Sequence, residues 1–237
     1  MPASTRASAA VEDAVVAVIA EHGLEGTSVR RVAARAGVSI GAVQYHFPSK
    51  DAMLAAAMAR VEEIYGRRLA EEAARLSDSP DMMLRATLRS LIPRSRAERV
   101  DTSLWLAFVA RAAVHHPTAA QHQASWQRAE DGIAWQIMAC IARATYTTNA
   151  TTDGAKAQAT AKAACAKAST AMDEARNDNS APEPSPWVQD AAAELLALAD
   201  GLAIASAIEP VRMPPVRARQ ILDAAVGRVL QAGPPHS

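Results

Sequence analysis

The chain has 237 residues, half of them hydrophobic and 4% aromatic, which is enough for a sizeable core in one large or two small domains. Its 25 acidic and 25 basic residues cancel, which excludes a uniformly basic nucleic-acid coat but not a local basic patch. Two cysteines, Cys140 and Cys165, are too few for a disulfide framework, and no charged-then-apolar leader opens the chain, so a reducing, cytoplasmic setting is expected. Alanine dominates and strand-type runs of Val, Ile, Thr and Tyr are missing, which predicts an all-helical protein. Charges interrupt every helical stretch before it reaches the ~18 consecutive apolar residues of a spanning helix, so no membrane partner is expected.

Val11, Ala14, Val15, Val18 and Ile19 recur at three- and four-residue spacing, predicting a helix from Ala7 to His22 with one buried face, ended by Gly23. Thr27 is the expected N-cap of a second helix, which Gly37 stops because glycine adopts the left-handed conformation without a side-chain clash. Ser39 then caps a third helix after a short turn. Two short helices joined by a glycine turn make a helix-turn-helix. Ala33 is small where the helices cross, and Val32, Val38 and Val43 are placed to fill the shared core. An ordinary helical hairpin has the same mask, but charge favours the first reading. Thr27 to Lys50 holds Arg30, Arg31, Arg35 and Lys50 with no Asp or Glu, a local balance of four positive charges that attracts phosphates. The N-terminus of the third helix is then free to approach base edges in a major groove.

Met53, Leu54, Ala57, Met58, Val61, Ile64, Tyr65 and Leu69 predict one long helix leading away from this head. Ser79-Pro80 restarts a helix that runs through Leu91, and Pro93 interrupts it. Thr102 to Val114 is apolar enough to be buried nearly all round, with Pro117 as its expected end. An amphipathic helix is expected from Ala119 to Ala144, carrying Trp126, Ile133, Trp135, Ile137, Met138 and Ile141. Trp105 and Phe108 share a face, as do Trp135 and Met138; stripes of this kind form core more often than pocket.

Residues 147–186 contain no Leu, Ile, Val, Phe or Trp but hold all three asparagines and three of the four lysines, so the segment has nothing to build a core with. It is expected to be a solvated, partly helical insertion ending in a Pro-rich linker from Asn177 to Pro186; a second DNA contact or partner-binding arm is the other reading. Apolar periodicity returns in two terminal helices, at about 187–208 and 215–231. Ala192, Ala199, Gly201 and Ala203 permit close approach of another helix, whether within one subunit or from a two-fold mate. His115, His116 and His122 near Glu130 and Asp131 lack helical metal-site spacing because Pro117 intervenes, so no metal is assigned. No cofactor motif, Gly-rich phosphate loop, Ser-His-Asp order or paired-carboxylate motif is present, and the chain is not expected to be an enzyme.

Thr27, Val32-Ala33, Ala36-Gly37-Val38-Ser39, Gly41, Tyr45-His46-Phe47 and Ser49-Lys50 followed by Leu54 resemble the N-terminal domain of TetR-type regulators, from about Val11 to Leu54. More weakly, Trp105-Leu106-Ala107-Phe108 and Asp200-Gly201-Leu202-Ala203 are similar to segments of the subgroup that includes the choline-responsive BetI repressors. The resemblance implies an all-α fold: a three-helix helix-turn-helix DNA-binding domain at residues 1–48, and a larger helical ligand-binding and dimerisation domain at 49–237 that contains the insertion. It implies a repressor that binds a palindromic double-stranded DNA operator as a homodimer, through the two C-terminal helices, and is released by an unknown small-molecule effector. A helical interaction protein, or a small-molecule-binding enzyme without operator binding, is the alternative.

Carried over by position, the recognition helix is Ser39 to His46, with Ile40, Gly41, Ala42 and Gln44 facing base edges. The Gln44 amide donates and accepts together and so matches adenine N6 and N7. Family members often carry an apolar or aromatic residue there, so the operator sequence does not follow. Ser28, Arg30, Tyr45, His46 and Lys50 are implied phosphate contacts; packing is the alternative for Tyr45 and a structural hydrogen bond for His46, and Phe47 belongs to the core. The implied effector pocket draws on Tyr65, Trp105, Phe108, Arg111, Trp126, Trp135 and Met138. Arg111 either meets an acidic ligand or pairs with an Asp or Glu.

Overall fold

The computed structural model describes residues 3–74, 79–149 and 183–233, and the described residues form nine α-helices and no strand. Packing divides the chain into two compact units, Met1–Arg67 with Pro93–Ser125 and Arg68–Ile92 with Trp126–Ser237. Two long helices, α4 (Lys50–Ala73) and α7 (His116–Asn149), each contribute to both units.

In the first unit, α1 (Ala3–Gly26) buries Val11, Val15, Val18 and Ile19 as its spacing predicts. The helix does not stop at Gly23 but breaks there, at φ +70°, and one further turn follows. That last turn changes the start of α2 (Val29–Ala36). Its N-cap is Ser28, whose hydroxyl accepts the Arg31 N–H at 3.4 Å, and not Thr27. Thr27 is buried, and its hydroxyl donates back to the Gly23 carbonyl at 2.8 Å. Gly37 takes φ +67°, and α3 (Ile40–His46) follows with the Ser39 hydroxyl accepting the Ala42 N–H at 3.1 Å. Val32, Ala33, Val43 and Phe47 join α1 and the first turns of α4 in one apolar cluster.

α6 (Arg96–Ala112) begins six residues ahead of the expected Thr102, because Ser95 caps it through the Glu98 N–H at 3.1 Å. It is not buried nearly all round. Thr102, Leu104 and Phe108 face inward, whereas Ser103 and Val114 are exposed. Pro117 does not end this helix either; it sits in the first turn of α7, where its missing N–H has no helical acceptor to lose.

The second unit contains α5 (Pro80–Ser90), most of α7, α8 (Pro186–Ile208) and α9 (Pro215–Ala232). Leu84, Leu88, Ile92, Ile133, Ile137, Leu195 and Leu222 are fully buried together. Two polar devices fix the geometry around them. The Arg89 guanidinium grips both Asp223 carboxylate oxygens at 2.8 and 2.5 Å, a bond that holds the arginine more firmly protonated than usual. The buried Ser206 hydroxyl donates to the Met213 carbonyl at 2.9 Å and closes the α8–α9 turn. By length and composition α8 is long and apolar enough to cross a membrane, which counting interrupting charges did not register; its apolar side chains pack in this core.

α7 continues to Asn149, so the first residues assigned to the insertion are helical because nothing breaks the helix there. The rest of that insertion up to residue 182, with Cys165, lies outside the described residues.

Asp200, on α8, is largely buried, and loss of hydration pushes its carboxyl from 3.8 up to about 7. The folded chain thus holds this proton more tightly than the unfolded one. Its contribution is fully present below about pH 4 and lost as pH rises to about 7, at about 1.4 kcal/mol per pH unit. Asp200→Asn should therefore melt above the unsubstituted protein at pH 8 and close to it at pH 4, as scanning calorimetry at the two pH values will measure.

Candidate nucleic-acid interface

The face that α3 turns to solvent follows from what it buries. Val43 and Phe47 are fixed in the core, so Gln44 and Tyr45 point outward. Tyr45 is 88% exposed and Ile40 48%, an unusual position for large apolar side chains and one that packing within this unit does not explain. The packing alternative for Tyr45 is thereby removed. Gly41 is exposed, Ala42 half-buried, and beyond Gly41 the nearest atom a Cβ would meet is the Ser39 hydroxyl at 3.9 Å. The N-terminal half of α3 thus offers small side chains beside an amide, so a base edge can come close to its backbone. His46 is half-buried and sets its ring edge-on to Tyr45, with centroids 5.7 Å apart and planes at 78°.

Ser28, Arg30 and Ser39 are exposed around this helix. Both serine hydroxyls are engaged as caps through their oxygens, and each keeps a hydroxyl proton to donate. The positive charge is smaller than the sequence window suggested. Arg35 pairs with Glu21 at 2.6 Å, and Lys50 lies 3.9 Å from the Glu25 carboxylate and 3.5 Å from its backbone carbonyl. Glu21 and Glu25 stand just ahead of Thr27, outside the stretch whose charge was counted. These pairs are exposed and weak, so a phosphate can compete for the same cations.

Arg111 shows an ion pair instead of an open charge. From α6 its guanidinium reaches Asp51 at the start of α4 at 2.9 Å and Glu25, in the last turn of α1, at 3.8 Å. His115 adds a 3.8 Å approach to Asp51. Glu25 and Asp51 were not singled out in the sequence, and Asp51 carries no local signal because its partner is sixty residues away.

The other residues assigned to a pocket fall into separate clusters. Phe108 is core, packed with Leu104, while Tyr65 and Trp105 rest against the same first-unit cluster and Tyr65 Oη lies 3.5 Å from Thr102 Oγ1. Trp126 and Met138 rest against the second-unit cluster, and Trp135 is half-buried. Among the described residues no group of three or more His, Cys, Asp or Glu is placed to hold a metal.

Residues 13–57 match the bacterial regulatory proteins of the tetR family, and residues 170–231 match the C-terminal region of the BetI-type transcriptional repressors. A transcriptional regulator from Rhodococcus sp. Rha1 is 30% identical, the alignment covering 95% of this chain and 96% of that one with a TM-score of 0.62. The regulator BetI of Burkholderia thailandensis is 35% identical over 106 residues, which are 45% of this chain and 54% of that protein. The chain spans about half the length of the curated relatives it matches. A chain from Saccharomonospora viridis solved in complex with choline shares the fold at 18% identity, with a TM-score of 0.65 over 94% of this chain and 96% of that one.

The Arg111–Asp51 pair is partly screened, since the Asp51 side chain is half exposed. A double-mutant cycle of Arg111→Met and Asp51→Asn in urea unfolding should return a coupling of about 0.5–1 kcal/mol. No measurable coupling would show that the contact does not hold α6 to the start of α4.

Proposed function

The chain belongs to the tetR family of bacterial regulatory proteins, and from that premise we propose that it represses transcription by binding a palindromic operator as a homodimer. The observation that carries this reading is α3, which exposes Ile40, Gln44 and Tyr45 although the unit has a core to bury them in. Residues 1–48 act as the reading head and 49–237 as the body that dimerises and receives an effector.

Within the head, Gln44 reads a base edge, with Ile40, Gly41 and Ala42 setting the approach. Arg30, Tyr45, His46, Lys50 and the Ser28 and Ser39 hydroxyls hold phosphates, and Lys50 exchanges Glu25 for a phosphate when DNA arrives. One such head covers too few base pairs to select a site, which favours two copies with recognition helices about 34–36 Å apart. The two-fold contact is assigned to residues 187–208 and 215–231. Ala197 and Gly201 lie exposed one turn apart on α8, and nothing stands within 4 Å of a Cβ built on Gly201, so a partner helix can approach closely.

The effector is a small molecule whose binding favours a conformation poorly matched to the operator. Trp126, Trp135 and Met138 are its assigned contacts in the second unit. Choline, the ligand of the Saccharomonospora chain, is the first compound to titrate.

Sedimentation and gel shift test the proposal together. The expected result is a dimer at micromolar concentration that binds a palindrome from its own promoter; a monomer that ignores that promoter overturns it. Lys50→Ala should weaken all duplexes alike and reduce the slope of log K against log salt by about one. Gln44→Ala should instead relax preference at one base position per half-site, by about 1–3 kcal/mol of discrimination in competition shifts.

A further inference from the structure

Between α1 and α6 the first unit contains a cavity of about 460 Å³, within the range that small-molecule ligands occupy. Its floor is apolar. Ile19 and Leu104, each only 3% exposed, back it from the core, Ala107 continues the lining, and Val100 stands 44% exposed beside them. The rim is cationic, with Arg96 and Arg99 both lining the space and the Ser103 hydroxyl next to them.

The two arginines occupy the first and fourth positions of α6, the end at which backbone N–H groups already concentrate positive potential. Cations are disfavoured there unless a carboxylate offsets them. Glu98, the acid of that first turn, is committed to Arg94, its carboxylate accepting the Arg94 backbone N–H at 2.6 Å and lying 3.0 Å from the guanidinium. Among the described residues neither the Arg96 nor the Arg99 guanidinium forms an ion pair. Two uncompensated guanidiniums at a helix N-terminus, beside an open apolar floor, suit one kind of ligand: an anionic head that accepts forked N–H bonds and a hydrocarbon tail laid over Ile19, Leu104 and Ala107.

We propose that the α1–α6 cavity is a binding site for a small amphipathic carboxylate. It is separate from the effector contacts assigned above and excludes cations by charge. Gly23, where α1 breaks, also lines the cavity, so an occupant touches that break and α6 within the unit that carries the recognition helix.

The test uses the full chain without DNA, so its outcome does not depend on operator recognition. Octanoate, octanol, octylamine and acetate are titrated by calorimetry at low salt. Octanoate is expected to bind saturably at one site per chain, and the other three at least tenfold more weakly, because each lacks the carboxylate or the tail. Arg96→Ala/Arg99→Ala should weaken octanoate at least tenfold. Ser103→Phe, which fills the space from an exposed position and leaves both arginines in place, should do the same. Octanoate that does not bind by 10 mM, or binds equally well to both variants, or no better than octanol, overturns the proposal.

Discussion

A seven-residue helix such as α3 is not stable alone in water, because nucleation is costly and is repaid only over a dozen or more residues. Everything the interface does therefore depends on Val43 and Phe47 being held in a core supplied by α1, α2 and α4. Their burial sets the rotation of α3, and rotation decides that Gln44 and Tyr45 face outward. The chain can enter α3 at that angle because Gly37 accepts φ +67°, a conformation in which a side chain would be strained. Serine caps at Ser28 and Ser39 then satisfy N–H groups that helices this short can ill afford to leave open.

Electrostatics adds a second layer to the same unit. Glu25 is shared between Lys50, which faces the proposed phosphate, and Arg111, which comes from α6. Arg111 also holds Asp51, the neighbour of Lys50. A shift of α6 within this unit is thus felt at Lys50, the proposed phosphate contact, through two ionic contacts and no intervening loop. Exposed pairs of this kind are individually weak, which suits the proposed exchange of Glu25 for a phosphate.

The second unit is built on different terms. Its core is a continuous block of Leu, Ile and Ala from four helices, locked at one edge by the bidentate Arg89–Asp223 pair and at the α8–α9 turn by the buried Ser206 hydroxyl. Asp200 lies on a helix that also carries Asp190 and Glu194, and its burial raises its carboxyl to about 7. A largely apolar helix such as α8 serves as the central element of a packed unit while leaving Ala197 and Gly201 bare.

Local chemistry alone determined the helical class, the glycine turn, the Ser39 cap, the buried spacing of α1 and the two C-terminal helices, because each depends on residues within one or two turns of each other. Cap and boundary assignments failed where two local signals competed. Thr27 and Ser28 are both good caps, and only the hydrogen bond from Thr27 to the carbonyl at the α1 break separates them. Pro117 was read as a stop, although proline is equally suited to a first turn. The charge on the head was overcounted because Glu21 and Glu25 precede the motif in sequence yet reach its cations in space. The pairing of Arg111 with Asp51, the core position of Phe108 and the cavity beside Arg96 and Arg99 were decided by tertiary structure only. Each joins residues that have no register with one another until α6 packs on α1 and α4, and no periodicity along the chain encodes that distance.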